Sequence, residues 1–319
     1  MDPCFKNAEV EKKNLSYSID MHVSEGKKSL WVNNQAYSSP KLRQSFPGLL
    51  FSPESLLIVK DSAQKRRDLI DDLCMTLFPE FAKVFSDYRK LLRQKNMLLK
   101  QIRDHKISDE QGEKLNENLT QLLFDKGSRL THFRIQAIAE IQPLLLQEFL
   151  QIMDEHYGNI AINYIISGQK NKGLSQQDLL NAMYKRWGQL KARELASGLC
   201  LVGPHKHDIQ FDFNGQEARF FCSQGQQRAI VLAFKMAQTK LHFRAQNEFP
   251  ILLLDDVLSE LDREKQMRFM NYLLSTEAQI FLTTTDATSI PQVATKSVFE
   301  VKDGVFIESD RLLTGGLNV

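Results

Sequence analysis

Phe220-Phe221-Cys222-Ser223-Gln224-Gly225-Gln226-Gln227-Arg228 and, after an apolar helix and a polar break, Ile251-Leu252-Leu253-Leu254-Asp255-Asp256-Val257-Leu258-Ser259-Glu260-Leu261-Asp262 decide how this chain is read. Ile251 to Leu254 is a continuous apolar run, the pattern of a strand buried on both faces. Its carboxyl end delivers Asp255 and Asp256 to the rim of a sheet, where α/β proteins place ligands. Asp255 suits Mg²⁺, directly or through a water, and Asp256 suits an attacking water that must be oriented or deprotonated. Ser223 to Gln227 is a tight polar turn opening an apolar helix. Free amides at a helix start, a serine hydroxyl and a glycine that admits close approach suit a phosphate. Taken alone, that turn reads equally as a capped entry into a core helix. The order of the two pieces, their spacing and the Ser259-Glu260-Leu261-Asp262 that follows favour a nucleotide site.

Together these stretches resemble the signature, Walker B and D-loop of ABC-type ATPase heads. More narrowly, Gly203-Pro204-His205-Lys206-His207-Asp208-Ile209, the two stretches above and Phe281-Leu282-Thr283-Thr284-Thr285-Asp286 resemble the RecF family of recombination-repair ATPases. Leu50 to Leu56 and Val59 to Arg67 fit the same family. The resemblance implies an α/β head, a mixed sheet with flanking helices and a β-meander, interrupted by an inserted α-helical lobe. It also implies ATP and Mg²⁺ as cofactors, DNA as partner, and a cytoplasmic role at gaps or junctions in replication and recombinational repair. In such heads two protomers sandwich two nucleotides. Ser223, Gln224, Gly225, Gln226 and Gln227 would then face the nucleotide of a partner head, with Ser223 and Gly225 on its γ-phosphate. Ser259 and Asp262 would cross the interface, and Thr284 would sit in the switch loop. The partner is a second copy or a complete head of the same type, and RecR- and RecO-like proteins remain open as further partners. Asp256 stands where most ABC heads carry glutamate and RecF-like heads carry aspartate.

The departure from the family is the phosphate loop. Gly26-Lys27-Lys28-Ser29 lacks the glycine five residues upstream, where Met21 stands, and no buried strand precedes it. Without that loop the chain is expected to hydrolyse ATP poorly by itself and to donate Ser223 and Gly225 to a partner. Two other readings stand beside this one: a remnant of a longer head, shortened by a deletion or a late start codon, and a non-enzymatic module for DNA binding or dimerisation.

The totals exclude little. In 319 residues with 42% hydrophobic and 25% charged side chains, a formal charge of +2 gives no argument for nucleic acid by itself. Any such argument rests on clustering. Cys4, Cys74, Cys200 and Cys222 lack metal-ligand spacing and read as reduced thiols. No run reaches membrane-spanning length and no signal-peptide core opens the chain, which reads as cytoplasmic.

The pattern divides the chain into three: residues 1–62 as the first part of the head, 63–190 as the helical lobe, and 191–319 as the second part. Leu15–Val23 and Ser29–Val32 alternate as strands. Ser52-Pro53-Glu54 reads as a helix start, and Ser175 as the cap of another helix. Asn214-Gly215 signals a hairpin whose return strand is Ala218–Phe221. Between Lys83 and Lys106 cations outnumber acids strongly. Arg89, Lys90, Arg93, Lys95 and Lys100, with Arg66 and Arg67 upstream, are the candidate DNA contacts; charge alone fits a solvated helix face equally well. His205 and His207 invite a metal reading, against which stands hydrogen bonding within the head.

Overall fold

The computed structural model describes residues 4–24, 27–153, 158–171, 173–285, 297–302 and 305–308. The chain opens with β1 (Cys4–Lys12), β2 (Leu15–Ser24), β3 (Lys27–Val32) and β4 (Gln35–Tyr37), then α1 (Ser39–Ser45) and β5 (Gly48–Phe51). Helices α2 (Ala63–Leu77), α3 (Phe81–Arg103) and α4 (Asp109–Met153) follow. Next come β6 (Ile160–Ile166), β7 (Gln169–Asn171), α5 (Gln176–Ser197), β8 (Asp208–Phe213), β9 (Gln216–Glu217) and α6 (Ala218–Phe221). The last third holds α7 (Gln224–Gln246), β10 (Ile251–Asp255), α8 (Arg263–Leu274), β11 (Ile280–Thr283), β12 (Phe299–Lys302) and β13 (Val305–Glu308). These elements form two compact units, residues 1–48, 70–137 and 173–206 in one, and 49–69, 138–172 and 207–319 in the other. The division cuts through the expected helical lobe, which contributes to both.

The first unit joins a four-stranded antiparallel sheet, in the order β1-β2-β3-β4, to long helices. Two-residue turns set its register. Lys12 pairs with Leu15 and Val32 with Gln35. Lys13, Asn14, Asn33 and Asn34 all take positive φ, the backbone that matches the twist of a hairpin. Alternation had marked β2 and β3, whereas β1, with its mixed Lys, Glu and Val, carried no such signal. Among the helices, Ser175 caps α5 in a reciprocal box with Asp178, and Gly198 ends it in the left-handed region at φ 68°. Leu98, Leu99, Leu123, Phe124, Met183 and Leu190 are buried. Among them lies an ion pair: Lys95 Nζ and Glu194 Oε2 stand 3.0 Å apart with both side chains fully buried. Thr120 Oγ1 accepts from Lys95, and Trp187 Nε1 and the Leu201 amide donate to Glu194.

The second unit is built around α7. Its residues from Ala229 to Ala237 are buried without interruption, the mark of a helix enclosed on all sides. A sheet in the order β11-β10-β5 supplies one wall, with Leu49, Phe51, Leu252 and Leu254 buried and Phe51 against Phe269 of α8. A second sheet, β7-β6-β8-β9, turns at Asn214-Gly215 with φ of 49° and 81°, as the dipeptide predicts. The hairpin β12–β13 pairs antiparallel, its connecting residues lying outside those described.

Three expectations fail locally. Ala218–Phe221 is a short helix, not the return strand, because β8 finds its partner in Gln216 and Glu217 alone. The buried Gln227 amide then fastens that turn by donating to the carbonyls of Ala218 and Cys222. Ser52-Pro53-Glu54 leads only into a 3-10 turn at Ser55–Leu57, where Ser52 and Ser55 satisfy each other's amide and hydroxyl groups. And β10 is buried on one face, not two: Leu253 is 39% exposed and its neighbour Phe281 on β11 is 54% exposed.

Candidate functional site

The site is assembled where β10 ends. β10 and β11 run parallel, with Asp255 beside Thr283. Thr283 Oγ1 donates to Asp255 Oδ1 at 2.8 Å and accepts from the Asp256 amide at 3.1 Å. One hydroxyl therefore fixes both acidic residues. Asp255 is exposed and among the described residues has no cation beside it, leaving oxygen lone pairs open. Asp256 holds φ 48°, a left-handed backbone that a non-glycine residue adopts at some expense. Its Oδ2 and carbonyl take the Ser259 hydroxyl, and its Oδ1 is buried with no partner. A strained carboxylate with an idle, shielded oxygen is the arrangement expected where an acid waits for a ligand.

Ser223 lies at the other piece. It caps α7: its Oγ accepts from the Gln226 amide, and Gln226 Oε1 accepts from the Ser223 amide. The capped turn expected on propensity grounds is thus real, but it does not explain the glycine. Gly225 has ordinary helical φ, and a Cβ there would meet no atom within 4 Å. Internal packing does not require glycine; it leaves room for something outside the chain. Gln224 and Gly225 are exposed, whereas Gln227 is buried and serves the α6 turn.

Arg228 joins the pieces. Its Nη1 donates to the Glu260 carbonyl at 3.2 Å and its guanidinium pairs with the Glu260 carboxylate. The signature-like helix start and the Ser259–Asp262 turn are thereby held together within one unit. Asp262 caps α8 through the Lys265 amide, and its ion pair with Lys265 holds the carboxyl below its usual range. Thr284 follows β11 directly and is half-buried, while Asp286 lies outside the described residues. Sequence reasoning missed Thr283 and Arg228 as organisers. A hydroxyl at the end of the strand after Asp255, and an arginine one turn into the signature helix, were the available signals.

The candidate DNA contacts separate sharply. Arg89, Lys90, Arg93 and Lys100 are exposed on α3, with the Arg89 guanidinium over the Phe85 ring. Lys95 is not among them: it is fully buried against Glu194. Arg66 and Arg67 are also buried. Arg66 forks onto Asp208 at 3.0 and 2.7 Å, and Arg67 donates to the His207 carbonyl and to Gln64. These three are structural cations, not phosphate contacts. The histidines are likewise occupied. His205 Nδ1 meets Tyr88 Oη at 2.6 Å and its Nε2 the Cys200 carbonyl, while His207 Nδ1 meets Tyr164 Oη. Among the described residues no group of three or more His, Cys, Asp or Glu is placed to hold a metal. No described helix is long and apolar enough to cross a membrane.

No family model matches the chain. It is 32% identical over 284 residues to the DNA replication and repair protein RecF of Desulforamulus reducens, covering 87% of this chain and 73% of that one. It is 32% identical over 311 residues to RecF of Lactobacillus delbrueckii subsp. bulgaricus, covering 96% and 80%. A solved structure described as the recombination mediator protein RecF with ATPrS in the RecFOR pathway superposes with TM-score 0.83 at 23% identity, over 97% of this chain and 81% of that one. A RecF–ATP structure gives 0.82 at 24% identity, over 97% and 80%. The head fold with its helical insertion is therefore that of the solved RecF proteins, and the extent and identity of the sequence match place this chain in the RecF family of DNA replication and repair proteins.

Proposed function

We propose that the protein is a RecF-type DNA-binding head of replication and recombinational repair, which acts on ATP·Mg²⁺ through a partner head. The observation that carries this reading is the Arg228–Glu260 tie, which holds the open Gly225 surface and the Asp255–Asp256 strand end together. The geometry suits a nucleotide lying across the two. Asp255, with one oxygen braced by Thr283 and lone pairs open, fits a hard cation that keeps most of its waters. Such a cation would neutralise charge on the phosphates. Asp256 Oδ1 would accept the proton of an attacking water, and Ser223 Oγ and the Gly225 amide would face the terminal phosphate. The cradle for the inner phosphates is expected from the partner, since Gly26-Lys27-Lys28-Ser29 does not meet the spacing of a phosphate loop.

DNA would lie on the exposed face of α3, where Arg89, Lys90, Arg93 and Lys100 offer sequence-independent phosphate contacts. The function is tested by mixing the chain with a phosphate-loop-bearing RecF relative whose own signature serine is changed to arginine. ATP turnover restored by this chain, and not by its Ser223→Arg variant, supports the reading. Turnover that stays at the level of the crippled relative alone overturns it.

A further inference from the structure

Two exposed apolar patches occur in the second unit, and each lacks a cover among the described residues. The first is the open face of the β11-β10-β5 sheet: Leu50, Leu253 and Phe281 are 50%, 39% and 54% exposed, although parallel strands are ordinarily covered on both faces. The second is the α6 turn, where Phe220 and Phe221 are 68% and 63% exposed immediately before Ser223. Adjacent exposed aromatics of this kind mark a contact surface. We propose that the patches cover each other in a two-fold dimer of this chain, formed without nucleotide, with the aromatic pair of one copy seated on the open sheet face of the other.

Three observations favour a second copy as the occupant. The patches share one surface, because Arg228 ties the start of α7 to Glu260, five residues beyond the end of β10. A two-fold axis can then pair each patch with its complement at once. The charges match: Arg219 lies over the Phe220 ring with its Nε unpartnered, and Asp255 on the open face has no cation among the described residues. The area suffices. With about 200 Å² per aromatic and somewhat less per leucine, the five residues and their mates would bury on the order of 1,000 Å², close to the lower bound of a specific interface before flanking polar atoms are counted. The inference rests on the reading that this surface faces a partner, and it adds that the partner is the same chain and that apolar contact precedes nucleotide.

Sedimentation of the nucleotide-free protein over a hundredfold concentration range tests it. The expected result is a reversible dimer, shifted at least tenfold toward monomer by Phe221→Asp and by Leu253→Asp. A Phe221→Cys chain mixed with a Leu253→Cys chain is expected to yield a disulfide-linked heterodimer under mild oxidant, in excess of either variant alone. Should Leu253→Asp fail to fold, Phe281→Thr, on the adjacent strand, replaces it. A monomer at all concentrations without nucleotide overturns the proposal, as does a dimer indifferent to these substitutions. Association that appears only with ATP also overturns it, while leaving the nucleotide reading of Ser223 and Asp255 intact.

Discussion

Lys95 and Arg93 lie two residues apart on α3 and read alike in the sequence, yet one is fully buried against Glu194 and the other is exposed. The same contrast separates Arg66, forked onto Asp208, from Lys90. Removing a partner from a buried pair leaves an unpaired charge in a low-dielectric interior, whereas an exposed cation keeps its water in either state. The same side-chain type therefore holds the fold together in one place and is free to meet a polyanion in another.

The largest expected effect is on stability at the buried cations. Lys95→Ala should lower the unfolding free energy by about 3–5 kcal/mol in urea titrations, and adding Glu194→Leu should recover part of that loss. A Lys95→Ala protein as stable as the parent would erase the contrast. Next is DNA affinity: Lys90→Glu with Arg93→Glu should leave stability within about 0.5 kcal/mol, while reducing the steepness of the salt dependence by about 1 per cation removed. Unchanged salt dependence would move the DNA surface elsewhere.

The thiols sharpen the comparison through pH. Burial pushes Cys200 up to about 12, with Lys95 nearby opposing and Glu194 reinforcing. A thiol whose folded pKa exceeds its unfolded value contributes stability that is fully present below about pH 8.5 and is lost as pH rises toward 12. Stability is expected to fall by about 1.4 kcal/mol per pH unit in that window from this group, and Cys200→Ala should flatten the slope. A parent and variant with the same alkaline slope would contradict the buried assignment. The smallest effect is at the signature turn: Gly225→Ala should raise stability by about 0.5–1 kcal/mol, since helical alanine replaces glycine in open space. Its action in the mixed-head assay should nonetheless fall. Full activity of that variant would mean that nothing approaches the backbone there.

Much of the architecture was legible. Apolar alternation marked β2, β3 and β8, Ser175 and Ser223 announced their helices, and Asn214-Gly215 set its turn, because each is a local preference of backbone and side chain. The motif order likewise marked Asp255, Asp256 and Ser223. What the residues could not declare was depth. Whether Lys95 or Arg66 meets water depends on Glu194 and Asp208, far along the chain, and only packing brings those partners within 3 Å. The open face of β10 was hidden for the same reason, since four apolar residues in a row look identical whether one face or both are covered. Local chemistry wrote the elements and the acidic strand end into the sequence; burial, which is a property of neighbours distant in the chain, was settled only by the tertiary fold.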